Sequence, residues 1–130
     1  MTEKYIKVMH DPLNLPFPES GQGERKFNNG DLYTGFFVNF YREGKGKMIF
    51  TNGAVYDGNW EKDVGQGDGK MIYASGDVYD GNWEKDMKQG DGAMIYAGGD
   101  VYEGDWKNDL TDEGKLTYSN GDIFTGKFEE

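Results

Sequence analysis

An all-β chain, built as an elongated single-layer antiparallel β-meander of stacked 23-residue hairpin repeats, is predicted by three observations. The first is a sentence written twice: Tyr56 to Val78 reads YDGNWEKDVGQGDGKMIYASGDV and Tyr79 to Val101 reads YDGNWEKDMKQGDGAMIYAGGDV, with four of 23 positions different. A fixed period of that size marks units too small to bury their own apolar face, which depend on their neighbours. The second is a composition with 21 glycines and 15% aromatic residues, so that burial rests on Tyr, Trp and Phe more than on aliphatic side chains. The third is strict alternation: Tyr79, Gly81 and Trp83 alternate with Asp80, Asn82 and Glu84, the period of a strand with one aromatic and one polar face.

In chain order, residues 1–20 stand apart as a proline-containing arm. Tyr5 to Met9 has the pattern of a short strand, and Pro12, Pro16 and Pro18 follow it. Such an arm is expected to be extended, and it could cover the first open edge of a sheet, hang free or dock on another subunit. His10, the single histidine, has no second ligand or base near it in sequence and is assigned no metal or catalytic role.

The array is expected to occupy residues 21–130. Gly21 to Leu32 aligns without gaps to Gly44 to Val55 and supplies the second half of a unit. Full units start at Tyr33, Tyr56, Tyr79 and Tyr102, and a closing half-unit starts at Phe124. The fourth unit has lost one residue in its middle turn, where NDLTDEG replaces KDMKQGDG. In the third unit the first strand covers Tyr79 to Glu84, a polar turn Lys85 to Asp91, the second strand Gly92 to Tyr96, and Ala97 to Asp100 turns into the next unit. Each unit is then a hairpin, unstable alone and held by ring packing between units.

Composition excludes several functions. There is no cysteine, hence no disulfide framework, thiolate nucleophile or cysteine zinc site. The Gly-x-Gly runs lack the third glycine or the Lys-Ser/Thr of a phosphate loop and lead into strands. The run Asp77 to Glu84 lacks the ligand spacing of a calcium loop. Carboxylates recur in every unit on the polar face, as a solvated surface would, and no nucleophile stands beside a base. No enzymatic activity, cofactor or metal is expected. The first residues are charged and resemble no signal peptide, and no apolar run reaches the ~18 residues of a membrane span, so a soluble cytoplasmic protein is expected.

The charge of −10 is uneven: residues 56–113 carry 15 acidic and 5 basic side chains, while residues 1–55 are net +1. Such acidity repels phosphate backbones, so nucleic acid is not an expected partner. It either keeps a long sheet soluble or selects a basic partner.

The pattern Tyr-x-Gly-x-Trp followed by Gly-x-Gly-x-x-x-Tyr-x-x-Gly resembles the MORN (membrane occupation and recognition nexus) repeat. It is carried by Tyr33-Gly35-Phe37, Tyr56-Gly58-Trp60, Tyr79-Gly81-Trp83, Tyr102-Gly104-Trp106 and Phe124-Gly126-Phe128, and by Gly44/Gly46, Gly67/Gly69 and Gly90/Gly92. The resemblance implies a twisted single-layer sheet with an aromatic-lined groove that serves as a non-catalytic scaffold, with relatives in ciliary and cortical cytoskeletal complexes. The family usually places Gly seven residues after the first Tyr, before a basic turn; here that position is Phe40, Asp63, Asp86 and Asp109.

Tyr33, Phe37, Tyr56, Trp60, Tyr79, Trp83, Tyr102 and Trp106 are therefore the candidate groove or packing aromatics, and spacing alone leaves both roles open. The leading expectation is a protein partner, basic or amphipathic, held as a peptide or helix on that groove. An alternative is a peripheral phospholipid-binding module, for which Arg25, Lys26, Arg42, Lys45 and Lys47 form the candidate basic patch, although the acidic middle and the turn aspartates disfavour it. A further alternative is self-association through edge strands, since Phe124 to Phe128 is guarded only by Lys127, Glu129 and Glu130.

Overall fold

A computed structural model describes residues 19–128; the arm's Tyr5 to Met9 strand, its three prolines, His10 and the guarding residues Glu129 and Glu130 lie outside them. The described residues form one ten-stranded antiparallel sheet in sequence order and no helix. Its strands are β1 (Gly21–Lys26), β2 (Leu32–Val38), β3 (Tyr41–Ile49), β4 (Val55–Glu61), β5 (Val64–Ile72), β6 (Val78–Glu84), β7 (Met87–Ile95), β8 (Val101–Lys107), β9 (Leu110–Thr117) and β10 (Ile123–Lys127). Every strand pairs only with its sequence neighbours, which is the meander that tight turns between short strands dictate.

The turn inside each unit is shorter than the residue pattern predicts. Lys85-Asp86 alone makes the loop, and β7 starts at Met87, five residues before the expected Gly92. Both loop residues have positive φ, 53° and 67°, and the same holds at Asn39-Phe40, Lys62-Asp63 and Asn108-Asp109. Two positive φ values in a two-residue loop define a type I′ hairpin, whose twist suits the flanking strands. The glycines read as turn residues lie further on, inside the strand. There Gly67 and Gly90, with φ of 88° and 80°, sit in wide bulges in which three residues oppose one on the preceding strand. In the fourth unit the lost residue leaves only Asp112 and Glu113 opposite Asp105.

Aspartates in both rows of turns tie neighbouring units together. Asp63, Asp86 and Asp109 each accept, through Oδ1, the backbone N–H of Arg42, Gly65 and Lys88 one unit earlier, at 2.8, 2.7 and 2.8 Å. Each returns its own N–H to the carbonyl of the same residue at 3.0 Å. On the opposite edge Asp31, Asp77 and Asp100 accept the N–H of Thr51, Ala97 and Ser119 in the next turn. Ala54 stands at the equivalent place in the first full unit and offers no carboxylate. Part of the acidity read as a solvated face is thus structural.

Candidate functional site

Alternation puts Tyr, Gly and Trp of each first strand on one face, and pairing sets glycine opposite glycine: Gly35 on Gly46, Gly58 on Gly69, Gly81 on Gly92 and Gly104 on Gly114. Without Cβ atoms these pairs leave a trough, and the tyrosine two residues earlier lies down in it. Tyr33, Tyr56, Tyr79 and Tyr102 donate their Oη hydrogens to the carbonyls of Phe36, Asn59, Asn82 and Asp105 at 2.8–3.0 Å. Trp60, Trp83 and Trp106 donate Nε1–H to the carbonyls of Gly46, Gly69 and Gly92 of the preceding unit at 3.0–3.1 Å.

The rings form one unbroken spine. Phe37, Tyr33, Trp60, Tyr56, Trp83, Tyr79, Trp106, Tyr102, Phe128 and Phe124 meet edge to face in that order, with centroids 5.1–5.4 Å apart. All eight candidate aromatics are buried, none more than 6% exposed. Burial holds the phenol pKa of all four tyrosines above its ordinary value, so they stay neutral donors. At about 0.5–1.5 kcal/mol beyond area burial for each edge-to-face pair, the spine is the core of the sheet.

A second row, which the sequence reading held only as the Tyr of the repeat pattern and not among the candidate site residues, lines the surface beside the spine. Phe27, Phe50, Tyr73 and Tyr96 open the turns between units and pack half-buried against the core, as do Met71 and Leu116. Their signal was the same 23-residue period, hidden because each sits at a strand end. Between Phe50, Met71, Tyr56, Trp83, Gly65 and Asp86 the row leaves a depression of about 310 Å³. A smaller one of about 210 Å³ lies beside Tyr96, Tyr102, Leu116 and Phe128.

Three cations lie on this aromatic face. The Arg42 guanidinium sits 4.5 Å from the Trp60 ring centre and 5.2 Å from that of Phe27, and donates from Nε to Asp63 Oδ1 at 2.9 Å and from Nη2 to the Asp63 carbonyl at 2.8 Å. Lys88 Nζ lies 5.3–5.8 Å from the rings of Trp106, Tyr73 and Tyr79, donates to Tyr73 Oη at 3.2 Å and stands 3.7 Å from Asp109 Oδ1. Arg25 stacks on Phe27 at 4.3 Å, and burial lowers its pKa below the usual arginine value.

The five candidate basic residues do not share a surface. Arg25 and Arg42 pair with Tyr33 and Phe37 on the aromatic face, whereas Lys26, Lys45 and Lys47 pair with Leu32, Asn59 and Asp57 and point to the other side. That other side carries a lateral row of opposite charges, Lys47, Asp57, Lys70 and Asp80, beside an aliphatic row in which Ile49, Ile72 and Ile95 are exposed. Among the described residues no three His, Asp or Glu side chains converge as metal ligands would.

Among the described residues, a one-layer sheet with a shared ring spine, repeated at 23 residues, defines a β-repeat array. The family model of the MORN repeat matches residues 33–55, 56–78, 79–101 and 102–123, and the chain belongs to the MORN repeat family. No curated protein matches the chain. Repeats of this family occur in protein-binding and in membrane-binding settings.

Proposed function

We propose that the protein is a non-catalytic scaffold that holds a segment of a partner protein along its aromatic face. The observation that carries this reading is the division of labour among the rings. The spine is buried and occupied with packing, while Phe50 and Tyr96 beside it stay half-buried at separate depressions of about 310 and 210 Å³, and Tyr73 stays half-buried in the same row. Apolar side chains around a shallow groove, with the Asp86 carboxylate beside the Arg42–Asp63 pair in its lining, suit an extended peptide or an amphipathic segment with basic residues. The acidic balance of residues 56–113 favours such a partner by long-range attraction and disfavours anionic lipid. The split of the basic residues between two faces removes the main support for a phospholipid-binding module.

Affinity capture from lysate, with and without detergent and at two salt concentrations, tests this reading. A stoichiometric protein that survives both treatments is the expected result. Recovery of lipids with membrane-resident proteins only, lost on adding detergent or salt, would overturn it in favour of the membrane.

A further inference from the structure

The second and third units differ at four positions, and one of them is Gly65 against Lys88. That position, on the strand following the type I′ turn, is Arg42 in the first unit, and it is where this chain places a cation over its own rings. Arg42 lies against Phe27, Trp60 and Asp63; Lys88 lies against Tyr73, Tyr79, Trp106 and Asp109. In the second unit the surroundings are complete and the side chain is missing. Phe50, Tyr56, Trp83 and Asp86 line the 310 Å³ depression at Gly65 in the places that Phe27, Tyr33, Trp60 and Asp63 take around Arg42, and Arg42 itself, its charge paired with Asp63, also lines that depression. Asp86 Oδ1 accepts the Gly65 N–H at 2.7 Å, as Asp63 accepts that of Arg42, and among the described residues Asp86 forms no ion pair.

The geometry points to a binding site for an arginine side chain, presented by a basic segment of a partner protein, in the slot at Gly65. A guanidinium is chosen over an ammonium because the slot repeats the ring set of Arg42, with Phe50 in the place of Phe27. The Lys88 slot has Tyr73 there, whose hydroxyl accepts from the ammonium. A planar guanidinium stacks on an indole face and presents its N–H groups edge-on to a carboxylate, and rings on either side keep water from that pair. Residues 56–113, which supply Gly65, Trp83 and Asp86 of the lining, carry 15 acidic and 5 basic side chains, a balance that draws a basic segment by long-range attraction. This deepens the scaffold reading, and rests on it, by naming the side chain the groove recognises.

The test is a two-dimensional NMR titration of the whole chain with a capped Gly-Ser-Arg-Ser-Gly peptide, beside twins carrying citrulline or lysine in place of arginine. The arginine peptide should shift the Trp83 indole N–H and the Gly65 and Asp86 amides in a saturable way, the lysine peptide more weakly and the citrulline peptide not at all. Gly65→Arg should abolish the response and raise the melting temperature, because it fills the slot as Arg42 does. A Cβ at Gly65 stands 3.2 Å from Asp86 Oδ1 and 3.6 Å from the Tyr56 ring, and both Arg42 and Lys88 carry one at the equivalent place. Asp86→Asn keeps the acceptor for the Gly65 N–H and should weaken the arginine peptide about tenfold or more. The proposal is overturned if these signals stay still at millimolar peptide, if citrulline or lysine matches arginine, or if both variants bind as wild type does. Capture of a protein partner equally by wild type and Gly65→Arg would sink the arginine slot and leave the scaffold standing. A bound arginine peptide without any captured protein would do the reverse.

Discussion

Asp91 and Asp105 face each other directly across β7 and β8, where the second and third units set Lys45 opposite Asn59 and Asp68 opposite Asn82. Like charges so placed destabilise a sheet. The pKa of Asp105 is raised, chiefly by the hydrogen bond its protonated form makes with Asp91, with slight desolvation and the repulsion from Asp91 adding to it. A folded pKa raised above the ordinary aspartate value of about 3.9 means the favourable contribution is complete below about pH 4 and lost as pH rises through the folded pKa. Asp105→Asn should therefore melt at a higher temperature than wild type at pH 7, with the gain shrinking or reversing at pH 3, as calorimetry at the two pH values would read. A gain that is equal at both would assign the effect to something other than charge.

At the scale of the element, the glycine pairs decide whether a hairpin can carry a tyrosine at all. Gly92 lies beneath the Tyr79 ring, so that a Cβ there would overlap the ring and its hydroxyl, whereas Gly98 in the following turn has open space around it. Gly92→Ala should cost about 1–3 kcal/mol or more in denaturant unfolding, and Gly98→Ala should change stability by less than about 0.5 kcal/mol. Equal effects of the two would contradict the trough. Strand identity and facing were legible in the sequence here, because Tyr79, Gly81 and Trp83 alternate without interruption. The hairpin turn was not: Lys85-Asp86 contains neither glycine nor asparagine, and a type I′ loop of that composition is held by bonds to the neighbouring unit. Lys85 N–H donates to Gln66 Oε1 and Asp86 N–H to the Gly65 carbonyl. Such bonds across units leave no local signal, which is why Gly90 reads as part of a turn when it forms a bulge inside the strand.

For the whole molecule, the candidate aromatics were visible by period but their task was not, since a buried ring and a groove-lining ring share one spacing. Burial separates them: the spine rings pack, and the flanking Phe50, Tyr73 and Tyr96 stay only partly buried. The candidate basic patch failed for a related reason, because closeness in sequence says nothing of which face a strand residue takes, and Arg42 turns inward while Lys45 and Lys47 turn out. The spine is the link that joins ten short strands into one sheet. Trp83 is its middle member, touching Tyr56 at 5.3 Å and Tyr79 at 5.1 Å. The most direct measurement is equilibrium unfolding of Trp83→Ala against wild type. A loss of about 3–5 kcal/mol is predicted for a buried tryptophan. A loss below about 1 kcal/mol, far under what that burial demands, would contradict the spine and move Trp83 from the core to the binding surface.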